Sequence, residues 1–421
     1  MKFKQSAQQN QRIERITHQH LIIGIDIAKF THVARAVDYR GIERGSTLSF
    51  SNSVEGFESL AQWVQTLSAQ FNKTEVLFGV EPTGHYWFNL AHWLRNQAFE
   101  LVLVNPFHVK RNKENRDNSP TKNDAKDALV IADMVKNGYY RPATISADVY
   151  QALRHLVTTR ELIARELSSV VNHLYRWTDL YFPEFQQVFK TITSKTALAT
   201  LTAFGHPEQV RLLSVEDVIA GWKTQMKRAG NRRTAIALIE AAKHTVGCSG
   251  HPEQAKFNLS LYLQQMELYH KQLAQIHQQM SILLEQIPTV HTLIQIKGMS
   301  ELTLATLYAE AGDLSEFTHG QQLLRLAGLH LCESSSGTRK SEVRISKRGR
   351  PRLRKLLYRT VFQMVSVNPE FKELHRINKQ EKHHSGMKSI LKLCGKLARM
   401  LVAMAKQHTE YDSNKLQPIA A

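Results

Sequence analysis

The sequence predicts an α/β domain, a long helical middle region and a mainly α-helical C-terminal domain, in that order along 421 residues. Three observations support this prediction. Between residues 21 and 104, apolar β-branched runs alternate with segments of helical periodicity. Further along, apolar residues recur every seven positions in two separate stretches, which is typical of paired helices. After Pro288, helical patterns continue on both sides of a strongly basic segment.

The first domain, 21–145, has predicted elements in the order β-β-β-α-β-α-β-α. The strands are predicted at LIIGIDIA, HVARAVD, STLSFSN, EVLFGVE and FELVLVN. The helices are predicted at VEGFESLAQWVQTL, HYWFNLAHWLRNQ and KNDAKDALVIADMVKNG. A three-stranded meander followed by βα units is typical of a mixed sheet of the ribonuclease H type. The preceding residues, 1–20, are polar and basic, and we expect a flexible arm there.

The middle region, 146–290, carries two heptad patterns. The first uses Leu153, Arg160, Leu167 and Leu174 with Leu156, Ile163, Val170 and Trp177, and the second uses Met266, Leu273, Met280 and Ile287 with Tyr262, Tyr269, Ile276 and Leu283. They predict an antiparallel coiled-coil hairpin, an oligomer interface or both, and a plain helical bundle is the alternative. Between them, 178–250 is expected to be a small helical insertion with Gly and Pro breaks.

The C-terminal domain, 291–410, begins with a short hairpin at Gly298 between two helical patterns. This arrangement is similar to a helix-hairpin-helix, whose turn presents backbone N–H groups to a DNA phosphate. Ser300 stands where a second glycine is usual, so the hairpin departs from that pattern. Residues 411–421 are expected to form a flexible tail.

The charge of the chain is strongly positive, +18 with a pI of about 9.7, and this favours a nucleic-acid partner. Residues 337–359 contain ten Lys or Arg and one Glu. The run follows the motif SSSG, so it is either a loop that binds phosphates or the surroundings of a serine nucleophile. The predicted phosphate contacts are Arg339, Lys340, Arg344, Lys347, Arg348 and Arg350.

The cysteines and the hydropathy indicate a cytoplasmic protein. Cys248, Cys332 and Cys394 lie far apart and form no CxxC pair, which argues against a disulfide framework or a zinc ribbon. The sequence has no apolar run of 18 residues, so no membrane partner is expected.

Four acidic residues lie where a ribonuclease H-like sheet would bring them together. Asp26 is in the first strand, Glu81 ends the fourth, and Asp124 and Asp127 share one face of a later helix. Converging carboxylates repel one another unless a cation binds, and oxygen ligands suit Mg²⁺. Two such ions, about 4 Å apart, are usual in phosphoryl transfer. Taken singly, each residue could instead be a turn, cap or solvent-facing helix-start residue.

The motifs GIDIAK, VEPTGHY, NP and KNDAKDA resemble the DEDD transposases of bacterial insertion sequences, relatives of pilin-gene invertases. After the coiled coil, IKGMSELTLATLYAEAGD, LAGL, SSG, RISKRG and LRKLL resemble the same family in the same order. The resemblance implies that 21–145 is a RuvC-like catalytic domain with Asp26, Glu81, Asp124 and Asp127 as the DEDD tetrad. It also implies that 291–410 is a transposase domain with Ser336 as nucleophile.

The resemblance further implies donor and target DNA as substrates and a structured bridge RNA as guide. The protein would act near the nucleoid as a homo-oligomer, from dimer to tetramer. We therefore expect a recombinase in which Ser336 attacks while the tetrad holds Mg²⁺, with Ser335 as the alternative nucleophile. The competing hypotheses are a RuvC-like junction endonuclease without a serine nucleophile, and a non-catalytic RNA- or DNA-binding scaffold.

Overall fold

The computed structural model describes residues 7–82, 84–116, 123–143, 148–227, 230–332 and 343–412. The chain divides into two compact units, Met1–Ile145 and Ser146–Ala421. None of the helices within the described ranges is long and apolar enough to cross a membrane.

The first unit is built on a six-stranded mixed sheet with the order β3-β2-β1-β4-β5-β6. The strands are β1 His20–Asp26, β2 Thr31–Asp38, β3 Leu48–Ser51, β4 Glu75–Val80, β5 Glu100–Val104 and β6 Tyr140–Pro142. β1, β2 and β3 form an antiparallel meander, whereas β1, β4 and β5 run parallel. The predicted mixed sheet is confirmed, and its first and fourth strands are neighbours as expected.

Helices cover the sheet of the first unit and supply its cores. They are α1 Ala7–Glu14, α2 Val54–Gln70, α3 Trp87–Asn96, α4 Pro106–Arg116 and α5 Asp124–Lys136. Leu21, Ile23 and Ile25 of β1 pack in the same apolar cluster as residues of α2 and α3, while Ile22 packs in the cluster that contains α5. Alternate residues of β1 therefore enter different cores, which explains why the strand is apolar throughout.

The predicted N-terminal arm is wrong for the residues that the structure describes. Ala7–Glu14 form a helix, and Ile16 is buried in the core with α5. Arg15 pairs with Glu100 on β5, which ties this segment to the sheet. The burial of Ile16 and the ion pair of Arg15 help to hold this polar segment against the sheet.

The second unit is helical except for a two-stranded hairpin, within the described residues. Its helices are α6 Asp148–Tyr181, α7 Phe185–Val188, α8 Lys195–Phe204, α9 Pro207–Val210, α10 Val215–Gln225, α11 Arg232–Lys243, α12 Pro252–Glu285, α13 Val290–Leu293, α14 Glu301–Ala311, α15 Gly320–Ala327, α16 Pro351–Val367, α17 Pro369–Gln380 and α18 Gly386–Gln407. The hairpin pairs β7 Leu331–Cys332 with β8 Arg344–Ile345.

The two heptad patterns fall in α6 and α12, which are 34 residues long each and pack against each other in antiparallel directions. Arg160 Nε donates to His277 Nε2 over 2.9 Å, and Trp177 Nε1 donates to the carbonyl of Ala255 over 2.8 Å. The two ends of the pair enter different cores, one with α7–α11 and the other with α13–α18. Coiled-coil packing in the strict sense, and a role in oligomerisation, stay predictions.

The predicted hairpin at Gly298 is a turn between α13 and α14. Gly298 has φ +100°, and an added Cβ would lie 2.7 Å from Cγ of Met364 on α16. The Ser300 hydroxyl accepts from the N–H of Thr303 and so caps α14. Serine rather than a second glycine at position 300 is therefore explained by helix capping.

Candidate functional site

Two of the four predicted acidic residues lie at one edge of the six-stranded sheet. Asp26 ends β1, and Glu81 directly follows β4. The preceding residues, Ile25 and Val80, are partners in the parallel register of these two strands. Asp26 and Glu81 are thus carried by neighbouring strand ends, as expected from the strand order.

Helix α5 crosses the sheet above two paired glycines. Gly24 of β1 lies opposite Gly79 of β4. A Cβ on Gly24 would lie 2.0 Å from the carbonyl oxygen of Ala128, and one on Gly79 would lie 2.5 Å from Cγ2 of Val135. Only glycine permits this close approach, because any side chain would push the helix away from the strands.

The first turn of α5 carries the other two acidic residues. Asn123 caps the helix by accepting from the N–H of Ala125, so α5 begins at Asp124. Asp124 is exposed, whereas Asp127, which shares its face of the helix, is buried. The two glycines therefore set how closely α5 approaches the sheet, and the Asn123 cap sets the residue at which its acidic first turn begins.

The charges of the other three carboxylates act on Asp26. Burial raises the pKa of Asp26 from 3.8 to about 6, and repulsion by Asp127, Asp124 and Glu81 adds to this rise, while Lys113 opposes it. Like charges that disfavour one another's ionised forms create a strong preference for a cation between them. The structure thus places the other three acidic residues close enough to Asp26 to raise its pKa.

Lys113 is a member of this site that the sequence did not reveal. It lies on α4, a helix absent from the predicted elements, and its Nζ is 2.5 Å from Oδ2 of Asp127. The segment PFHVKRNKENR has no regular apolar face, so periodicity gives no signal for a helix there. The sequence signal for Lys113 was the high density of Lys and Arg in this segment, which comes shortly before the helix with the two acidic residues.

The carboxylates do not form a closed metal cage. Within the described ranges, no three Asp, Glu, His or Cys side chains are grouped closely enough to hold one ion. Mg²⁺ in phosphoryl-transfer sites commonly takes one or two protein carboxylates and completes its shell with water and substrate phosphate. The donor chemistry and the mutual repulsion felt by Asp26 fit such an open site.

The predicted serine site falls largely outside the described residues. Ser335, Ser336, Arg339 and Lys340 all belong to the segment 333–342, which separates β7 from β8. Ser336 as the nucleophile, with Ser335 as the alternative, therefore stays a prediction.

The other predicted phosphate contacts lie in β8, which contains Arg344, and in the loop that leads from β8 into α16. Arg344, Lys347 and Arg348 are exposed. The loop is fastened to the C-terminal end of α15, since the N–H of Lys347 donates to the carbonyl of Gly328 over 3.0 Å and that of Arg350 to the carbonyl of Leu326 over 2.7 Å. These hydrogen bonds restrain the backbone that carries the exposed cations.

Arg350 differs from the other cations of this loop. Its Nη1 donates to the carbonyl oxygen of Glu310 on α14, and its side chain is only partly exposed. The guanidinium therefore holds the loop to the helical core. Its predicted phosphate contact would have to use the nitrogens that remain.

Two family models match the chain in separate segments. One is described as Transposase, of the DEDD type of IS110, and matches residues 23–183. The other is described as Transposase IS116/IS110/IS902 family and matches residues 290–376. The first match includes all four acidic residues, and the second includes the segment with SSSG and the basic loop.

Curated relatives of the chain include a pilin gene-inverting protein and a protein of an insertion element. The chain is 32% identical over 110 residues to the pilin gene-inverting protein of Moraxella lacunata, a match that covers 26% of this chain and 32% of that relative. It is 23% identical over 296 residues to an uncharacterized 43.6 kDa protein of insertion element IS110 from Streptomyces coelicolor, which covers 69% of this chain and 72% of the relative. The chain thus spans about a third of the pilin-inverting relatives and most of the insertion-element protein.

Proposed function

Because the chain belongs to the IS110 family of DEDD transposases, we propose that it is a DNA transposase that cuts and rejoins DNA strands. The observation that carries this proposal is the electrostatic coupling of Asp26 to Asp127, Asp124 and Glu81 at one sheet edge. An acidic cluster of this kind on a chain of net charge +18 is explained by a cation that mediates contact with a phosphate.

The proposed role of the four carboxylates is to hold Mg²⁺. Bound there, one or two ions would neutralise charge on the scissile phosphate and polarise its oxygens. Asp26, with its raised pKa, must lose its proton before it can serve as a ligand. Lys113, paired with Asp127, favours the ionised form of the cluster and positions the first turn of α5.

The proposed nucleophile is Ser336, with Ser335 as the alternative. The serine Oγ would form a bond to phosphorus, and the bond from phosphorus to the leaving sugar oxygen would break. The serine proton would pass to a base or to water, and the leaving oxygen would take up a proton. The resulting phosphoserine ester keeps the energy of the phosphodiester, so rejoining to another DNA end needs no nucleotide cofactor.

Cations of the basic loop would support this step. Arg344 in β8 and Lys347 and Arg348 in the loop after it are exposed, and they follow the serines in the sequence. Such charges neutralise phosphoryl oxygens as negative charge develops. Each phosphate that they neutralise would steepen the salt dependence of binding by about 0.9 log units per log unit of salt.

A structured bridge RNA and a homo-oligomer complete the proposal. The RNA would select donor and target DNA, and the antiparallel pair of α6 and α12 offers long helical surfaces for self-association as a dimer or tetramer. The full chain should copurify with one structured RNA transcribed beside its own gene, which sequencing of bound RNA would identify. Recovery of a random sample of cellular RNA would contradict guidance.

The decisive test of the chemistry compares two adjacent serines. The full chain is expressed with a plasmid that carries its gene and flanking DNA, and protein–DNA adducts that resist detergent are measured. Ser336→Ala should abolish both adduct and recombinant product, whereas Ser335→Ala should retain them. Cleavage that survives both substitutions without an adduct would favour a junction endonuclease that uses only the carboxylates.

A second comparison separates an enzyme from a scaffold. Asp26→Asn should bind DNA as the parent does and should form no product. Unchanged recombination in Asp26→Asn would remove the acidic cluster from the mechanism.

A further inference from the structure

A basic groove lies in the second unit where α6, α14 and α16 meet. It encloses about 730 Å³. Five cations line it, together with one acid and several hydroxyl and amide groups. The cations are Arg160, Arg165, Arg352, Lys355 and Arg359.

Some of these cations are engaged in holding the helices together. Arg352 lies 2.9 Å from Glu161 on α6 and 2.9 Å from Glu310 on α14, so it joins three helices. Burial lowers and these two acids raise its pKa, with a net rise, which keeps the guanidinium charged. The five lining cations outnumber Glu161 and Glu310 by three, so the groove keeps an excess of positive charge.

Lys355 and Arg359 are the clearest part of that excess. Both are exposed on α16, and they lie one helical turn apart on the same face. Neither side chain has a hydrogen bond or an ion pair with any residue that the structure describes. Two neighbouring cations that form no ion pair with a described residue are available to bind an anion in the groove.

The opposite wall of the groove continues the same chemistry. Arg165 on α6 is exposed, and its Nε donates to the carbonyl of Glu161 over 3.3 Å, which leaves its terminal nitrogens toward solvent. Ser300 and Thr303 place hydroxyls at the start of α14, and Gln363 adds an amide on α16. Cations, hydroxyls and amides are the groups that contact sugar-phosphate backbones.

We propose that this groove binds the phosphate backbone of the DNA on which the protein acts, with Lys355 and Arg359 as its main contacts and Arg165 on the facing helix. The inference rests on the proposed function for the identity of the partner. Cations repeated along one helix face match a chain of phosphates better than a single anion. The basic loop leads directly into the first turn of α16, the helix that carries Lys355 and Arg359.

The test measures binding of the full chain to a labelled 30-base-pair duplex taken from the DNA that flanks its gene. All variants carry Asp26→Asn, so that cleavage does not interfere. The groove variant is Lys355→Gln with Arg359→Gln. The matched control is Lys271→Gln with Arg176→Gln, which removes one Lys and one Arg that are exposed on α12 and α6, outside the groove.

The groove variant should bind about tenfold more weakly than the control at 0.15 M salt. The slope of log affinity against log salt should fall by about 1.8, since each lost phosphate contact removes about 0.9. Both variants should have unchanged circular dichroism. Equal affinity and slope in the groove and control variants would overturn the proposal.

A parallel arm uses a 30-base-pair RNA duplex. Weaker binding of the groove variant to DNA, whether or not RNA binding also weakens, supports the proposal, whereas weaker binding to RNA alone overturns it. Failure of the proposed chemistry is recognised separately. A parent chain that binds DNA through the groove but forms no detergent-resistant adduct would count against the transposase mechanism and leave the groove assignment intact.

Discussion

Lys113 on α4 lies 2.5 Å from the carboxylate of Asp127 on α5, so a cation of the chain itself is placed among the four acids. The same lysine lowers the pKa of Asp26, against the effects of burial and of the neighbouring carboxylates. Lys113 thus acts on both the strand-end acid and the helix acid of the site.

Replacement of Lys113 should therefore shift the pH response of the site. In Lys113→Gln the pKa of Asp26 should rise further, because the positive charge that lowers it is lost. The acidic limb of the pH profile of adduct formation should move to higher pH, with activity recovering as pH increases. Lys110→Gln, an exposed lysine on the same helix, should keep the parent profile.

Asp26 should destabilise the metal-free protein at neutral pH. Its pKa is about 6 when folded against an ordinary 3.8, so the folded state holds a proton that the unfolded state has released between these values. Stability therefore falls as pH rises through this window, and the loss is complete above it. Asp26→Asn should raise the unfolding free energy at pH 7.5 in EDTA by about 2 kcal/mol.

The gain in Asp26→Asn should be largely lost at pH 4 and should vanish below it, where the parent carboxyl is protonated in both the folded and the unfolded state. Added Mg²⁺ should narrow the difference at pH 7.5, because binding stabilises the parent. Urea unfolding at the two pH values, with and without Mg²⁺, measures both effects. A difference that is independent of pH would show that Asp26 is not strained by its neighbours.

Gly24→Ala should disturb the first unit more than its size suggests. The added Cβ would lie 2.0 Å from the Ala128 carbonyl and 2.5 Å from the Ala132 nitrogen, both in the backbone of α5. Overpacking of this kind costs about 1–3 kcal/mol. It should also displace Asp124 and Asp127 and so reduce adduct formation.

Gly386→Ala is the matched control, because its added Cβ would meet no atom within 4 Å beyond its own chain neighbours and helix backbone. Its melting temperature and activity should equal those of the parent. Thermal unfolding followed by circular dichroism makes the comparison, and equal melting temperatures of the two variants would contradict the close approach of α5 at Gly24.

The three cysteines should differ in their reaction with a thiol reagent. Cys248 and Cys332 are exposed, whereas Cys394 is buried in α18 and burial raises the pKa of its thiol to about 12. A thiolate is the reactive form, so two thiols should react rapidly in the native protein at pH 8 and the third only after unfolding. Cys394→Ala should leave the rapid phase unchanged.

Sequence patterns located the central strands of the sheet well because β1, β4 and β5 are largely buried on both faces. Leu21 to Ile25 are all buried, which makes β1 a continuous apolar run between polar ends. The position of Asp26 and Glu81 at neighbouring strand ends followed from the strand order. The roles of all four acids, of Ser336 and of the six predicted basic contacts stay predictions.

Elements held by contacts distant in sequence were not predicted. β6 has three residues and exists because Tyr140, Arg141 and Pro142 pair with β5. The helix α1 depends on Ile16 in the core and on Arg15 at Glu100. The sequence shows Arg352, Lys355 and Arg359 only as members of one basic run. The packing of α16 shows that Arg352 pairs with acids, whereas Lys355 and Arg359 line the groove without an ion pair to a described residue.

The fastening of the basic loop bears on how tightly the protein can hold a polyanion. Hydrogen bonds from the N–H groups of Lys347 and Arg350 to the C-terminal end of α15 restrict the backbone before any partner arrives. A loop that is already ordered loses little conformational entropy on association, so more of the interaction energy is kept as affinity. Dissociation should then be slow compared with that of a mobile basic tail of equal charge.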